Sequence, residues 1–253
     1  MNTVGIMGAM PEEVSGVAAL LEGRETRVIA GREYVTGSVG GRRVVVVFSR
    51  WGKVAAAATA ATLLLEFGVT EIIFTGVAGA VSDALAIGDI VLARRLVQHD
   101  LDARPLVPRY EIPLLGRTWL ETPPARLRRA VAAVERLIGS GRLAADGVLQ
   151  KFGITRPRLH VGDIASGDQF FSRHADKVAL TLALPSVLCV EMEGAAVAQV
   201  CHEHGVPCTV IRTISDAADE QSPVDFPAFV AGIASKYSAA VARELLAARG
   251  DAD

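Results

Sequence analysis

Three apolar runs in this chain do not alternate with polar residues: RVVVVFS (43–49), EIIFT (71–75) and CTVIRTI (208–214). A strand with one wet face alternates with period two, so these runs predict strands buried on both faces. Burial on both faces needs covering layers. Lys53–Phe67, rich in Ala and Leu and followed by Gly68, predicts one covering helix with a glycine stop. The fold class that follows is α/β, with a mixed, mainly parallel central sheet flanked by helices. Half of the residues are hydrophobic, enough to fill such a core. No repeat, low-complexity tract or linker divides the sequence, so residues 1–253 read as a single domain.

Further strands are predicted at Val4–Gly8, Asp89–Val97, Leu159–Ser166 and Val187–Met192. Pro11, Glu12 and Glu13 open a helix, since proline suits the first turn and acids suit its positive end. A helix-like run starts at Gly194, and Phe226–Ala248 reads as one long final helix. Ligands in parallel α/β sheets bind beyond the carboxyl ends of strands. Those ends here carry Gly8, Ala9 and Met10; Ser49 to Trp51; Thr75 to Gly79; Ser166 to Asp168; Glu191 to Glu193; Ser215 and Asp216. Glycine, hydroxyl or carboxylate recurs at all six.

The bulk numbers exclude several classes. Net charge is −2, with no basic excess for nucleic acid or anionic membrane. No apolar run reaches the ~20 residues that span a bilayer. The first ten residues lack a basic region and meet Glu12 and Glu13 at once, unlike a signal peptide, so a cytoplasmic location is expected. Cys189, Cys201 and Cys208 have no CxxC spacing and read as reduced, mostly buried thiols. The five histidines form no metal pattern, and neither GxGxxG nor GxxxxGK[ST] occurs. No metal or organic cofactor is expected.

GIMGAMPEEV (5–14), GKVAAAATAATLLLEF (52–67), TGVAGA (75–80), IGDIV (87–91), SGDQFF (166–171), VEMEG (190–194) and TISDAADEQS (213–222) together resemble the 5′-methylthioadenosine/S-adenosylhomocysteine nucleosidases. That family lies in the nucleoside phosphorylase superfamily. The resemblance runs from about residue 3 to about residue 240 and is weakest across 100–160. It implies a nucleoside phosphorylase-like fold and cleavage of an adenosine derivative, with an adenine nucleoside as the small-molecule partner. Asp216 then protonates N7 of the leaving adenine; the plainer reading is that Ser215 and Asp216 cap the next turn. Glu13 activates the water, against a plain helix-dipole role. Glu193 grips the ribose hydroxyls, with Met192 along the sugar, and Glu191 faces away and serves structure. Arg212, near ribose and water, is the third catalytic candidate beside Glu13 and Asp216; an ion pair with Glu193 or Glu13 is the plainer reading and is compatible with that role. Phe170 stacks on adenine rather than packing in the core, while the backbone at Gln169 and Phe171 reads the base edge. Met10, Trp51, Val77, Gly79, Ser215 and Phe226 complete the expected substrate wall. Gly8, Gly76 and Gly79 are expected to let the backbone approach a ligand.

Three departures from the family pattern fall on one side of this site. Val77 stands where the family usually has serine. Ser49 to Lys53 reads SRWGK where the family has SGIGK, so Trp51 reshapes the 5′-pocket and Arg50 adds a cation for an anionic group or an exposed ion pair. Residues 100–116 differ from the family's loop. Five of the chain's eleven prolines lie between 105 and 124, which predicts a stiff extended segment. By resemblance this segment crosses a homodimer interface, with Val107, Tyr110 and Pro113 as candidates to close the neighbour's 5′-pocket. Two rival readings share the fold: a phosphate-dependent phosphorylase, and a non-catalytic nucleoside-binding protein.

Overall fold

The structure is a computed structural model that describes residues 2–143, 148–154 and 156–247. Its strands are β1 (Thr3–Gly8), β2 (Glu22–Ile29), β3 (Arg32–Val39), β4 (Arg42–Phe48), β5 (Glu71–Ala80), β6 (Ile90–Gln98), β7 (Leu120–Glu121), β8 (Leu159–Ser166), β9 (Val187–Glu191) and β10 (Cys208–Asp216). The helices are α1 (Pro11–Ala18), α2 (Lys53–Phe67), α3 (Pro124–Gly139), α4 (Val148–Lys151), α5 (His174–Ala183), α6 (Gly194–Glu203), α7 (Ser222–Phe229) and α8 (Ser235–Ala247).

All ten strands share one mixed sheet in the order β10-β6-β8-β9-β5-β1-β4-β3-β2, with β7 on β6. A further pairing of β10 with β5 closes β5, β9, β8, β6 and β10 into a ring, from which β1, β4, β3 and β2 extend. The doubly buried runs lie where their patterns require, in β4, β5 and β10. Helix α2 covers its full expected span, and Gly68 ends it at φ 59° in the left-handed region. Apolar clusters fill both faces of the sheet. All three cysteines are buried and free. Among the described residues no helix is long and apolar enough to cross a membrane.

The structure corrects several expectations. β2 and β3 form an antiparallel hairpin that the sequence pattern does not reveal. β2 is exposed along nearly its whole length and carries Glu22, Arg24, Glu25 and Arg27, so it has no apolar period; charged edge strands of this kind resist pairing with other chains. β5 runs on to Ala80, so Gly76 to Gly79 lie inside a strand and not in a loop after it. The final helix begins earlier, at Ser222, and is interrupted: Pro227 lacks the N–H that continues an α-helix, and a π-helical turn follows at Val230–Ala234. Its expected last residue, Ala248, lies outside the described residues. Residues 100–116 form compact turns and not an extended segment. Leu106 N–H donates to Ala103 O (3.0 Å), Tyr110 N–H to Leu101 O (3.0 Å) and Glu111 N–H to Pro108 O (3.2 Å). Proline's fixed φ serves turns as well as extended chain.

Candidate active site

A cavity of about 70 Å³ opens where the strands of the ring end. It is lined by the predicted Met10, Glu13, Trp51, Val77, Gly79, Gln169, Phe170, Phe171, Met192, Glu193, Ser215, Asp216 and Phe226. Residues separated by some 200 positions meet there because β1, β5, β9 and β10 all end at the same rim.

Glu13 is placed by a split in the sheet. β1 pairs with β5 only as far as Met7 and Phe74, and then the strands diverge. The Glu13 carboxylate fills the gap and takes the N–H groups freed there. Oε2 accepts from Ala9 N (2.6 Å) and Met10 N (3.1 Å), and Oε1 from Val77 N (3.0 Å). Glu13 is 2 % exposed. Burial raises its pKa, with Arg212 and the three N–H groups opposing. A raised pKa makes the carboxylate a stronger base toward water. Val77 therefore holds Glu13 through its backbone, a contact indifferent to the missing serine hydroxyl.

The glycines serve these carboxylates. A Cβ on Gly76 would lie 2.7 Å from Glu13 Oε1, one on Gly8 2.9 Å from Glu13 Cβ, and one on Gly79 2.9 Å from Asp216 Oδ1. Each glycine thus makes room for an acid of the protein itself, where the sequence suggested room for a ligand.

Asp216 ends β10. Its Oδ1 accepts from Ala218 N (2.9 Å) and from the Ser222 hydroxyl (2.6 Å). Its Oδ2 accepts from the Ser215 hydroxyl (2.7 Å), which also lies 3.3 Å from Ala78 O. Rotation of that hydroxyl toward Ala78 leaves Oδ2 as the oxygen available to a proton or a base nitrogen. The capping contact to Ala218 is real, and the same carboxylate lines the cavity. Ser222, fully buried at the start of α7, is a supporting residue the sequence reading missed. Its only signal there was a hydroxyl residue six positions after Asp216.

The two glutamates of VEMEG divide their tasks. Glu191 is buried and does not face away. Its oxygens accept Gly194 N–H (2.8 Å) and Glu193 N–H (3.2 Å), and the Ser166 hydroxyl donates to it; Ser166 Oγ also takes Ala195 N–H (2.7 Å). Glu191 and Ser166 thereby satisfy the free N–H groups at the start of α6. Glu193 instead accepts Gly52 N–H (2.8 Å) and lines the cavity. Burial first, and then repulsion from Glu191, push its pKa up to about 8.

Arg212 is 1 % exposed and does not line the cavity. Its ion pair is with Glu191, at 2.6 Å, and not with Glu193 or Glu13. It also donates to Phe74 O (3.2 Å) and Ile211 O (3.1 Å), and its guanidinium lies 4.2 Å from the Phe74 ring centre. A buried pair that loses one partner leaves an uncompensated charge. Glu191→Gln should therefore lower unfolding stability by about 3 kcal/mol, read from urea denaturation midpoints. A change below ~0.5 kcal/mol would remove Glu191 from this structural role.

The aromatic wall is open. Phe170 is 42 % exposed, which rules out core packing, and stands edge-on to Phe226 at 5.5 Å. Phe226 in turn meets Trp51 edge-on at 6.3 Å. Phe171 is buried against His99. The Gln169 N–H donates to Gly167 O (2.8 Å), so its carbonyl, not its N–H, is left for a ligand. Arg50 makes no ion pair among the described residues; it donates to Gly31 O (2.9 Å). Tyr110 packs inside its own chain, while Val107 is half-buried and Pro113 exposed.

This arrangement, carboxylates gathered at one rim of a mixed sheet, defines a class. A family model of the phosphorylase superfamily matches residues 3–247. Within that class, the chain is 37 % identical over 227 residues to the 5′-methylthioadenosine/S-adenosylhomocysteine nucleosidase of Shewanella putrefaciens, covering 90 % of this chain and 91 % of that one. The Streptococcus pneumoniae MTA/SAH nucleosidase solved in complex with 8-aminoadenine superposes with a TM-score of 0.85 at 32 % identity, covering 98 % of this chain and 100 % of that one. A Helicobacter pylori futalosine hydrolase gives 0.81 at 33 % identity, covering 96 % and 97 %. The chain belongs to the 5′-methylthioadenosine/S-adenosylhomocysteine nucleosidase family.

Proposed function

We propose that the chain hydrolyses the N-glycosidic bond of 5′-substituted adenosines, of the methylthioadenosine, adenosylhomocysteine or 5′-deoxyadenosine type, to adenine and the free sugar. The observation that carries this reading is the set of side chains on the cavity wall. Glu13, Glu191, Glu193 and Asp216 line it, and no Lys or Arg does among the described residues. Such a wall offers phosphate no cation to hold it and suits water, a polyol and a protonatable base.

In this reading adenine lies beside Phe170, with N7 at Asp216 Oδ2. The ribose hydroxyls donate to Glu193, and Met192 lies along the sugar. The C1′–N9 bond breaks with its electron pair going to the purine, which takes a proton at N7 from Asp216. Water adds to the oxocarbenium-like C1′ and gives its proton to Glu13. The two carboxyl groups then exchange their proton with solvent. Arg212 acts as a positioning residue: it fixes Glu191, and with it the start of α6 beside Glu193, and its charge offsets the surrounding acids. The homodimer implied by the resemblance belongs to this proposal, with residues 100–116 at the interface; Leu106 and Leu114 are almost fully exposed there. So does a cytoplasmic location, which suits free thiols.

Adenine release from 5′-methylthioadenosine, with and without phosphate, tests the reading. The expected products are adenine and a reducing sugar, at a rate indifferent to phosphate. A sugar 1-phosphate formed only with phosphate present would make the protein a phosphorylase. Binding without turnover would make it a nucleoside-binding protein.

A further inference from the structure

An outer groove of about 620 Å³ adjoins the cavity. Ala9, Met10, Trp51 and Phe226 line both spaces, so they form a common wall. The other walls have assigned occupants in the reading above: base at Asp216, sugar diol at Glu193, water at Glu13. The shared wall is therefore where a group on C5′ leaves the cavity. Beyond it the groove is floored by Phe48, Pro227 and Val230, and it carries two charged side chains, Arg50 and Glu12.

Arg50 is held there by an unusual backbone. Its φ is 74°, in the left-handed region that glycine enters freely and a long side chain does not. Such conformations persist only where surrounding contacts impose them, and they cluster at binding sites. The contacts are visible. The hairpin turn at Ala30 and Gly31 is tied to the chain after β4 by Arg32, which donates to Ser49 O (3.0 Å) and Ala30 O (3.2 Å). Arg50 adds a bond to Gly31 O (2.9 Å). That bond uses one of the five N–H donors of a guanidinium. Among the described residues no carboxylate pairs with Arg50, which is exposed and lines the groove.

We propose that Arg50 is a specificity-determining residue that selects 5′-substituents with an apolar body and a terminal carboxylate. The inference rests on the nucleosidase reading. The apolar body lies on Trp51, Phe226 and Phe48, and the carboxylate takes the free guanidinium N–H groups. Glu12 opposes the same carboxylate and moderates the preference.

The test uses two matched substrates: 5′-thioadenosine S-alkylated with a short chain ending in a carboxylate, and the same compound ending in the carboxamide. The readout is the ratio of their kcat/KM values for adenine release. The wild-type ratio should favour the carboxylate by about fivefold, the modest size proper to an ion pair at a wet rim. Raising ionic strength from ~0.05 to ~0.5 M should reduce it. Arg50→Gln should bring the ratio to about one or below, with the change carried by KM. Glu12→Gln should raise it. Because each ratio is internal to one protein, partial loss of folded enzyme does not alter it. A wild-type ratio near one, or a ratio that survives Arg50→Gln, overturns the inference while leaving the nucleosidase reading intact. No adenine from either compound or from methylthioadenosine would overturn both.

Discussion

Asp216→Asn is expected to lower kcat for adenine release by about a thousandfold, with nucleoside affinity kept within about threefold. The asymmetry follows from the two oxygens. Oδ1 is fixed by Ala218 N–H and the Ser222 hydroxyl, and an amide oxygen there accepts the same two bonds. The amide nitrogen then stands in place of Oδ2. It can donate a hydrogen bond to a purine nitrogen, and the Ser215 hydroxyl can turn to accept from it or to donate to Ala78 O. Geometry and binding survive, but an amide N–H is far too weak an acid to give up its proton. Steady-state adenine release, paired with calorimetric titration of the unreacted nucleoside, separates the two effects. Activity within tenfold of wild type would remove Asp216 from the acid's role.

Glu13→Gln should cost a similar factor in kcat, about a thousandfold, and also lower stability by about 1–3 kcal/mol. The second effect distinguishes it from Asp216→Asn. Every hydrogen-bond partner of the Glu13 carboxylate is a backbone donor: Ala9, Met10 and Val77. An amide has one acceptor oxygen, so whichever way it turns, its NH2 faces an N–H in a buried gap between β1 and β5. At least one buried donor is left unpaired. Urea denaturation and adenine release on the same preparation measure both quantities. Full activity with lowered stability would reduce Glu13 to a sheet-splitting structural residue. Lost activity at unchanged stability would show that the gap relaxes around the amide.

The two substitutions probe different kinds of information. Asp216 lies at the end of an apolar strand in a recognisable motif, and its support is local, within six residues. Glu13 also belongs to a motif, but its environment depends on β5, more than sixty residues away. The sequence placed Asp216 at a strand end and Glu13 in the first turn of the helix after β1. It did not show that Gly8, Gly76 and Gly79 exist to admit them, because the clash that forbids a Cβ involves side chains from other segments.

Chemical pattern alone determined a large part of this protein. Unbroken apolar runs in β4, β5 and β10 required a covered sheet, since both strand faces had to leave water. Alanine, leucine and a closing glycine set the limits of α2. Resemblance to a known family, carried by the ordered motifs, added the family and thirteen residues that line the cavity. Tertiary structure decided the rest wherever partners come from afar or where no apolar period exists. The β2–β3 hairpin is one case: its exposed, charged strand is stabilised by pairing rather than by a buried face. Arg212 is another, since a cation buried between strands goes to whichever acid lies within reach, and that acid is Glu191. Glu191 and Glu193 are two residues apart and alike in sequence. Only the start of α6, with its unsatisfied N–H groups beside Ser166 and Arg212, made one of them a structural anchor. The loop at Gly52 left the other facing the cavity.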